Sequence, residues 1–255
     1  MAWNPDQYLK FSEPRLRPAV DLLARVAVAA PKLVYDLGCG AGNVTRLLAE
    51  RWPEASITGV DDSAEMLAQA ARELGAATWV RQSLAGWVPA IPPDVIFSNA
   101  ALHWLPRHEE LFPRLLRQLA PGGVLAVQMP RNFAAPSHSL IAETVRHGAW
   151  RRQLEHLLRP APVAAPHEYY AMLEPLAASI DIWETEYLQV LRGTDPVKEW
   201  TKGTWLKQFL DELQEPQRAE FEADYARRLR LAYPPLADGT TLFPFCRLFM
   251  VVRGA

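Results

Sequence analysis

Two acids and a cluster of glycines carry the first chemical signal in this chain. Val34-Tyr35-Asp36 is an apolar run that ends on a carboxylate and enters Leu37-Gly38-Cys39-Gly40-Ala41-Gly42-Asn43, while Ile57 to Val60 is a second apolar run that ends on Asp61-Asp62. Glycine suits a backbone that must turn sharply and let a ligand approach closely. An acid at the end of the second run suits the two hydroxyls of a ribose. The pattern therefore implies a nucleoside-bearing cofactor, and Asp36 narrows the choice. A dinucleotide lays its pyrophosphate on such a turn and on the helix N-terminus behind it, where a carboxylate two residues before the first glycine would oppose it. S-adenosylmethionine has no phosphate and carries an ammonium and a sulfonium, so the same acid becomes a partner, directly or through water. The spacing is GxGxG, not the GxGxxG of dinucleotide sites. A nicotinamide site is the alternative that Asp36 disfavours.

These residues need a sheet to hold them. Strand-like and helix-like patterns alternate through the first half, as in a parallel sheet covered on both faces. After the glycine turn a helix is expected from Val44 to Trp52. Another runs from Ser63 to Leu74, with Ser63 as N-cap and Glu65 in the first turn. A third strand covers Ala77 to Arg81 and a fourth Val95 to Asn99. A helix from Pro106 to Leu119 and a Pro121-Gly122-Gly123 turn lead to a fifth strand, Val124 to Met129. Asp36, Asp61, Ser83 and Asn99 all fall at carboxyl ends of strands, where open sheets of this type bind ligands.

Residues 130 to 178 read as helical and loop-rich, and Ile180 to Tyr187 alternates as a half-solvated strand does. Helical patterns follow around Val197–Leu213 and Pro216–Leu231, then a last strand from Phe245 to Val252. The expected fold is α/β: a Rossmann-like seven-stranded mixed sheet, parallel with one antiparallel C-terminal strand, helices on both faces. The chain reads as one domain, 1–255, with 1–25 as an N-terminal lid segment and helical insertions at 130–178 and 194–240 over the active site.

With 255 residues and 49% hydrophobic content, the chain can bury one sizeable core. A net charge of −2 without long blocks of like charge argues against a nucleic-acid or membrane surface. The start, Met1-Ala2-Trp3-Asn4-Pro5-Asp6, lacks the basic and apolar regions of a signal peptide. No segment reads as a membrane span, so the expected compartment is the cytoplasm and the expected state a monomer or weak dimer. Cys39 and Cys246 read as two buried free thiols. A methyltransferase acting on exocyclic amines of nucleic acid would show an Asn/Asp-Pro-Pro-aromatic turn after strand four. That position here reads Asn99-Ala100-Ala101-Leu102, and Pro92-Pro93-Asp94 precedes the strand.

Taken with the glycine motif, several further stretches resemble the class I S-adenosylmethionine-dependent methyltransferases and, within them, the trans-aconitate 2-methyltransferases. They are Trp3-Asn4-Pro5 with Tyr8-Leu9 and Phe11, Arg15, Arg17-Pro18-Ala19-Val20, Asn99 to Pro106, Leu125 to Pro130, Tyr169-Tyr170 and Asp181-Ile182-Trp183. The glycine motif belongs to the whole superfamily. The Trp-Asn-Pro segment and the Val127-Gln128-Met129-Pro130 strand end are more selective. The resemblance implies methyl transfer from S-adenosyl-L-methionine to one carboxylate of trans-aconitate, giving a monomethyl ester. Similar enzymes carry an acid after strand three for the adenine amino group, where this chain has Ser83, and tend to have Gln where it has His103. The expected cofactor set is Asp36, Gly38, Gly40, Asn43, Asp61, Asp62, Met66, Ser83, Leu84 and Asn99.

A carboxylate is already ionised at pH 7, so alkylating it needs no general base. No acid/base residue is therefore expected, only positioning, by His103 and Trp104. A polyanionic acceptor on a slightly acidic protein requires local donors, with arginine the best match to a carboxylate. The expected acceptor set is Trp3, Tyr8, Arg15, Arg17, His103, Trp104, Arg131, Tyr169 and Tyr170; since Tyr169 and Tyr170 are adjacent on a helix, at most one can face a pocket. Trp150, Trp200 and Trp205 read as packing. His138, His147, His156 and His167 lack metal-ligand spacing and read as solvated helix residues, so no metal is expected. A hydroxyl or amine of another small molecule is the alternative acceptor.

Overall fold

The computed structural model describes the backbone of residues 12–255, with side chains from Leu16 onward. Trp3 and Tyr8 lie outside the described residues, as does the side chain of Arg15. The first half alternates as α1 (Ser12–Arg25), β1 (Leu33–Leu37), α2 (Asn43–Arg51), β2 (Ser56–Asp61), α3 (Ala64–Glu73), β3 (Thr78–Arg81), β4 (Val95–Asn99), α4 (His108–Arg117) and β5 (Val124–Pro130). Then come α5 (Pro136–His147), α6 (Arg151–Leu154), α7 (Pro166–Leu173) and β6 (Ala177–Leu191). The last elements are α8 (Pro196–Lys202), α9 (Lys207–Leu210), α10 (Gln217–Ala232) and β7 (Thr241–Gly254).

The seven strands form one sheet in the order β3-β2-β1-β4-β5-β7-β6. β1 to β5 pair parallel, and β7 runs antiparallel to β5. This is the expected mixed sheet. β1 has β2 on one side and β4 on the other, so the chain order reverses at β1, and the crevice outside its carboxyl end is the natural ligand position. β4 and β5 are buried along nearly their whole length, which is why they read as continuous apolar runs instead of alternating ones.

Several element bounds differ from the sequence expectation. β6 and β7 extend well beyond 180–187 and 245–252. Pro244 lies inside β7, but pairing with β5 begins only at Arg247, so the missing N–H costs that ladder nothing. The helix expected over Val197–Leu213 is two short ones. Gly203 ends the first, and the Thr201 hydroxyl turns back to the carbonyls of Val197 and Lys198.

The chain divides into two compact units. One comprises Arg15–Pro130, Pro162–Thr185 and Arg247–Ala255; the other includes Arg131–Ala161 and Glu186–Cys246. The expected insertion 130–178 is thus split. Its later part belongs to the sheet unit because Tyr169 of α7 is buried against His108 and Phe112 of α4. The second unit has its own core, with Trp150, Trp200, Trp205, Phe209, Phe221 and Phe243 among its buried side chains. The tryptophans read as packing residues lie here, and Trp150 Nε1 donates to the carbonyl of Thr144 at 2.8 Å. His147, His156 and His167 are exposed as expected. His138 is not: Phe133, Trp205 and Phe245 ring it, and burial pushes its pKa down to about 4. Its helical spacing carried no trace of those distant partners.

Candidate active site

The glycine turn is built by three residues in left-handed backbone, Gly38 (φ +75°), Gly40 (+51°) and Gly42 (+83°). Gly42 is the N-cap of α2. The turn is pinned to β2, since the N–H groups of Gly38 and Cys39 both donate to the carbonyl of Val60, at 2.8 and 3.2 Å. The Asp61 carboxylate completes the clamp. Its Oδ2 accepts from Gly40 N–H and its Oδ1 from Ser63 N–H, each at 2.9 Å. Ser63 in turn caps α3 through a 3.3 Å bond from Met66 N–H. The two acids of the sequence pattern therefore meet around one turn.

A side chain at Gly38 has no room. A Cβ there would sit 2.1 Å from the Cβ of Ala101, with Leu84 Cδ1 at 3.5 Å. So the turn after β1 touches both the turn after β4 and the loop after β3. A Cβ at Gly40, by contrast, meets nothing within 4 Å. The loop holding Ser83 and Leu84 is tied down by a residue that the sequence did not single out. Arg114 of α4 donates to the carbonyls of Trp87 at 2.6 Å and Ala85 at 2.8 Å. Ser83 itself is exposed.

Asp36 is 1% exposed, and its Oδ2 accepts from Thr45 Oγ1 at 2.7 Å. Burial raises its pKa from 3.8 to about 7; the Thr45 bond opposes the rise and the nearby Asp61 adds to it. Burial and the same two acids also push the Cys39 thiol up, so it stays protonated and unreactive. Cys246 forms no disulfide among the described residues and is only partly buried, where the sequence suggested a buried thiol. At the end of β4, Asn99 carries a buried Oδ1 with no hydrogen-bond partner, and Ala100 has φ +54°. Strained backbone of that kind collects at ligand sites. Asn43 lies in the first turn of α2, and Asp62 is exposed, its carbonyl accepting from Arg81 Nε.

The acceptor candidates separate clearly. His103 is buried and its ring lies 4.7 Å from that of Trp104, which is 40% exposed. Tyr169 has no exposed surface. Its hydroxyl meets His108 Nδ1 at 2.6 Å, while His108 Nε2 meets the carbonyl of Leu102 at 3.0 Å. Only a donor satisfies a carbonyl, so Nε2 carries the proton and Tyr169 donates to Nδ1. Burial lowers the His108 pKa and keeps the ring neutral. Tyr169 thus braces the turn that carries His103 and exposes no surface of its own, whereas the sequence placed it among the acceptor contacts. Tyr170 is 53% exposed. Arg17 is mostly exposed and sits 4.0 Å from Asp21, a surface pair of little energetic weight. Arg131 belongs to the second unit, where its N–H donates to the carbonyl of Cys246. Among the described residues no cluster could hold a metal ion, and no helix is long and apolar enough to cross a membrane.

A methyltransferase-domain family model matches residues 34–123, the stretch from β1 through the turn after α4. Trans-aconitate 2-methyltransferase of Azoarcus sp. (strain BH72) is 48% identical over 98% of this chain and 98% of its own. The chain belongs to the trans-aconitate 2-methyltransferase family. A second member, from Acidovorax ebreus (strain TPSY), is 46% identical over 99% of this chain and 98% of its own. The fold of this family member also matches that of Haemonchus contortus phosphoethanolamine N-methyltransferase 2 in complex with S-adenosyl-L-methionine. There the TM-score is 0.54 and the identity 17%, over 94% of this chain and 53% of the longer one.

Like Arg114, Arg247 of this family member escaped the sequence reading, and Gln128 entered it only within the Val127-Gln128-Met129-Pro130 strand end, with no role assigned. Arg247 of β7 is 5% exposed, and its Nη1 donates to Oε1 of Gln128, itself fully buried in β5. Nothing local joins the two, because the β7–β5 pairing that brings them together spans over a hundred residues of chain.

Proposed function

We propose that this chain is an S-adenosylmethionine-dependent carboxyl O-methyltransferase acting on trans-aconitate or a similar small polycarboxylic acid. The observation that carries the cofactor half is the paired use of Asp36 and Asp61 around a turn with no room for a side chain at Gly38. Acceptor atoms dominate this end of the sheet: the Asp61 carboxylate, the partnerless Asn99 Oδ1 and buried Asp36. That set fits a cationic amino acid and a ribose, and would repel a pyrophosphate. When bound, S-adenosylmethionine would supply a methyl group on a sulfonium, whose sulfur leaves as a neutral thioether. Asp61 receives the ribose hydroxyls, Asp36 and Asn99 receive the ammonium, and the open cradle at Gly40 admits the ligand. The identity of the acceptor is supported by the names of the relatives that match nearly end to end.

Because the acceptor carboxylate is already ionised, the protein's task is to desolvate and align it, which can supply up to about 7–11 kcal/mol in favourable cases. His103 and Trp104 form the positioning wall of this step, held by the turn that Tyr169 and His108 brace. With both substrates saturating, the rate should stay flat from about pH 6.5 to 8.5, above the carboxylate pKa range. A steep rise that disappears in His103→Gln would instead identify a hydroxyl or amine acceptor. Methyl transfer to a panel of small carboxylic acids, followed by product mass and base lability, tests the reaction itself.

Asp61→Ala should weaken S-adenosylmethionine binding by about 1–3 kcal/mol, the cost of a lost charge-assisted hydrogen bond. Calorimetry on both proteins measures it directly. Unchanged affinity would mean that the ribose is held elsewhere.

A further inference from the structure

The sheet register distributes charge in a way that the cofactor does not use up. Residues paired across neighbouring strands share a face, as do residues two apart on one strand. Asp36 pairs with Phe97, two residues before Asn99; Asn99 pairs with Gln128; Gln128 pairs with Phe249, two residues after Arg247. Asp36, Asn99, Gln128 and Arg247 therefore line one face across β1, β4, β5 and β7. Along that line the chemistry changes sign. β1 and β4 offer acceptors, Asp36 and the partnerless Asn99 Oδ1. β5 and β7 offer donors: the guanidinium of Arg247 and the Nε2 of Gln128, which is fully buried and has no hydrogen-bond partner.

We infer that Arg247 and Gln128 form the subsite for a carboxylate of the acceptor. A guanidinium matches a carboxylate bidentately and stays charged when enclosed. A buried amide donor without a partner costs free energy unless a ligand oxygen meets it. The Gln128 carbonyl oxygen fixes the fork by accepting from Arg247 Nη1 at 3.4 Å, which leaves the amide Nε2 for the same ligand. The 3-10 turn Leu102–Trp104 follows directly, since Ala100 N–H donates to the Gln128 carbonyl. The subsite therefore holds a carboxylate that is not methylated, beside the turn that positions the one that is.

The inference rests on the polycarboxylate reading above, and the experiment separates the two. Wild-type protein that transfers no methyl group to trans-aconitate sinks the reading itself. If it does transfer, Arg247→Gln should raise KM for trans-aconitate about tenfold or more, with the Kd for S-adenosylmethionine changed less than about twofold. Arg247→Lys, which keeps charge but loses the fork, should fall between. Should the Arg247 variants fail to fold, Gln128→Glu decides: a carboxylate there repels the ligand and raises the acceptor KM alone. An unchanged acceptor KM overturns the inference. So does an equal loss of S-adenosylmethionine affinity, which would assign the guanidinium to the cofactor's own carboxylate.

Discussion

Gly38→Ala should cost this protein both stability and cofactor affinity. Two independent costs fall on that position. Left-handed backbone at φ +75° costs an alanine about 1–2 kcal/mol that glycine does not bear. The new Cβ would also lie 2.1 Å from that of Ala101, far inside the usual carbon–carbon contact of about 3.5–4.0 Å. Both atoms belong to rigid turns, so relief requires backbone movement, at about 1–3 kcal/mol for overpacking of this kind. The expected loss is about 2–5 kcal/mol of stability, read from urea unfolding midpoints, together with a cofactor affinity lower by about tenfold or more. Gly40→Ala is the internal control. Its φ is +51° but nothing lies within 4 Å, so only the backbone strain applies and the midpoint should move far less. Equal losses in the two variants would show that the turn has slack and that contact with Ala101 is not what shapes it.

The contrast between those glycines marks how far sequence can be read. Asp36, the glycines and Asp61 are legible because strand, turn and helix follow one another along the chain, so spacing stands in for geometry. Parallel pairing of β1 with β2 then brings the second acid onto the first turn. The pattern could not tell which glycine faces a wall, because that wall is Ala101, delivered by β4. Arg114 and Arg247 were hidden for the same reason, as was the partner of Gln128: each acts on a segment remote in sequence. Tyr169 is buried and Tyr170 exposed, a difference that their adjacency on one helix allowed for, but only the fold assigns Tyr169 to His108. Arg15 and Arg17 entered the acceptor set as carboxylate donors of the N-terminal lid segment; the side chain of Arg15 lies outside the described residues, and Arg17 is mostly exposed. A buried guanidinium is also present on the last strand, where an apolar run made Arg247 look incidental.

Asp36→Asn should couple stability and cofactor binding in opposite directions. Wild-type Asp36 titrates near 3.8 when unfolded and at about 7 when folded, chiefly because burial penalises its charged form. Between those values the folded state holds a proton that the unfolded state has released. Stability therefore falls as pH rises through the window, and the full cost is present above about pH 7. The rise from 3.8 to about 7 corresponds to about 4 kcal/mol at most, at about 1.36 kcal/mol for each tenfold step. Asparagine cannot ionise and avoids that cost, so the variant without ligand should unfold later than wild type at pH 8. The gap should narrow as pH falls toward 5. Binding should respond the other way. A cationic amino group beside Asp36 favours the carboxylate, so wild-type affinity for S-adenosylmethionine should rise between about pH 5.5 and 7, by roughly tenfold per pH unit at most, with a proton released on binding. That range lies below the titration of the ligand's own amino group. Calorimetry in buffers of different ionisation enthalpy counts the proton. Asp36→Asn should bind more weakly by about 1.5–3 kcal/mol near pH 7, release no proton and lose the pH dependence. Wild-type binding that is flat across the window, or an asparagine variant that binds as tightly, would remove Asp36 from the ammonium site. Asn99 and its buried carbonyl oxygen would then be left as the recognition group.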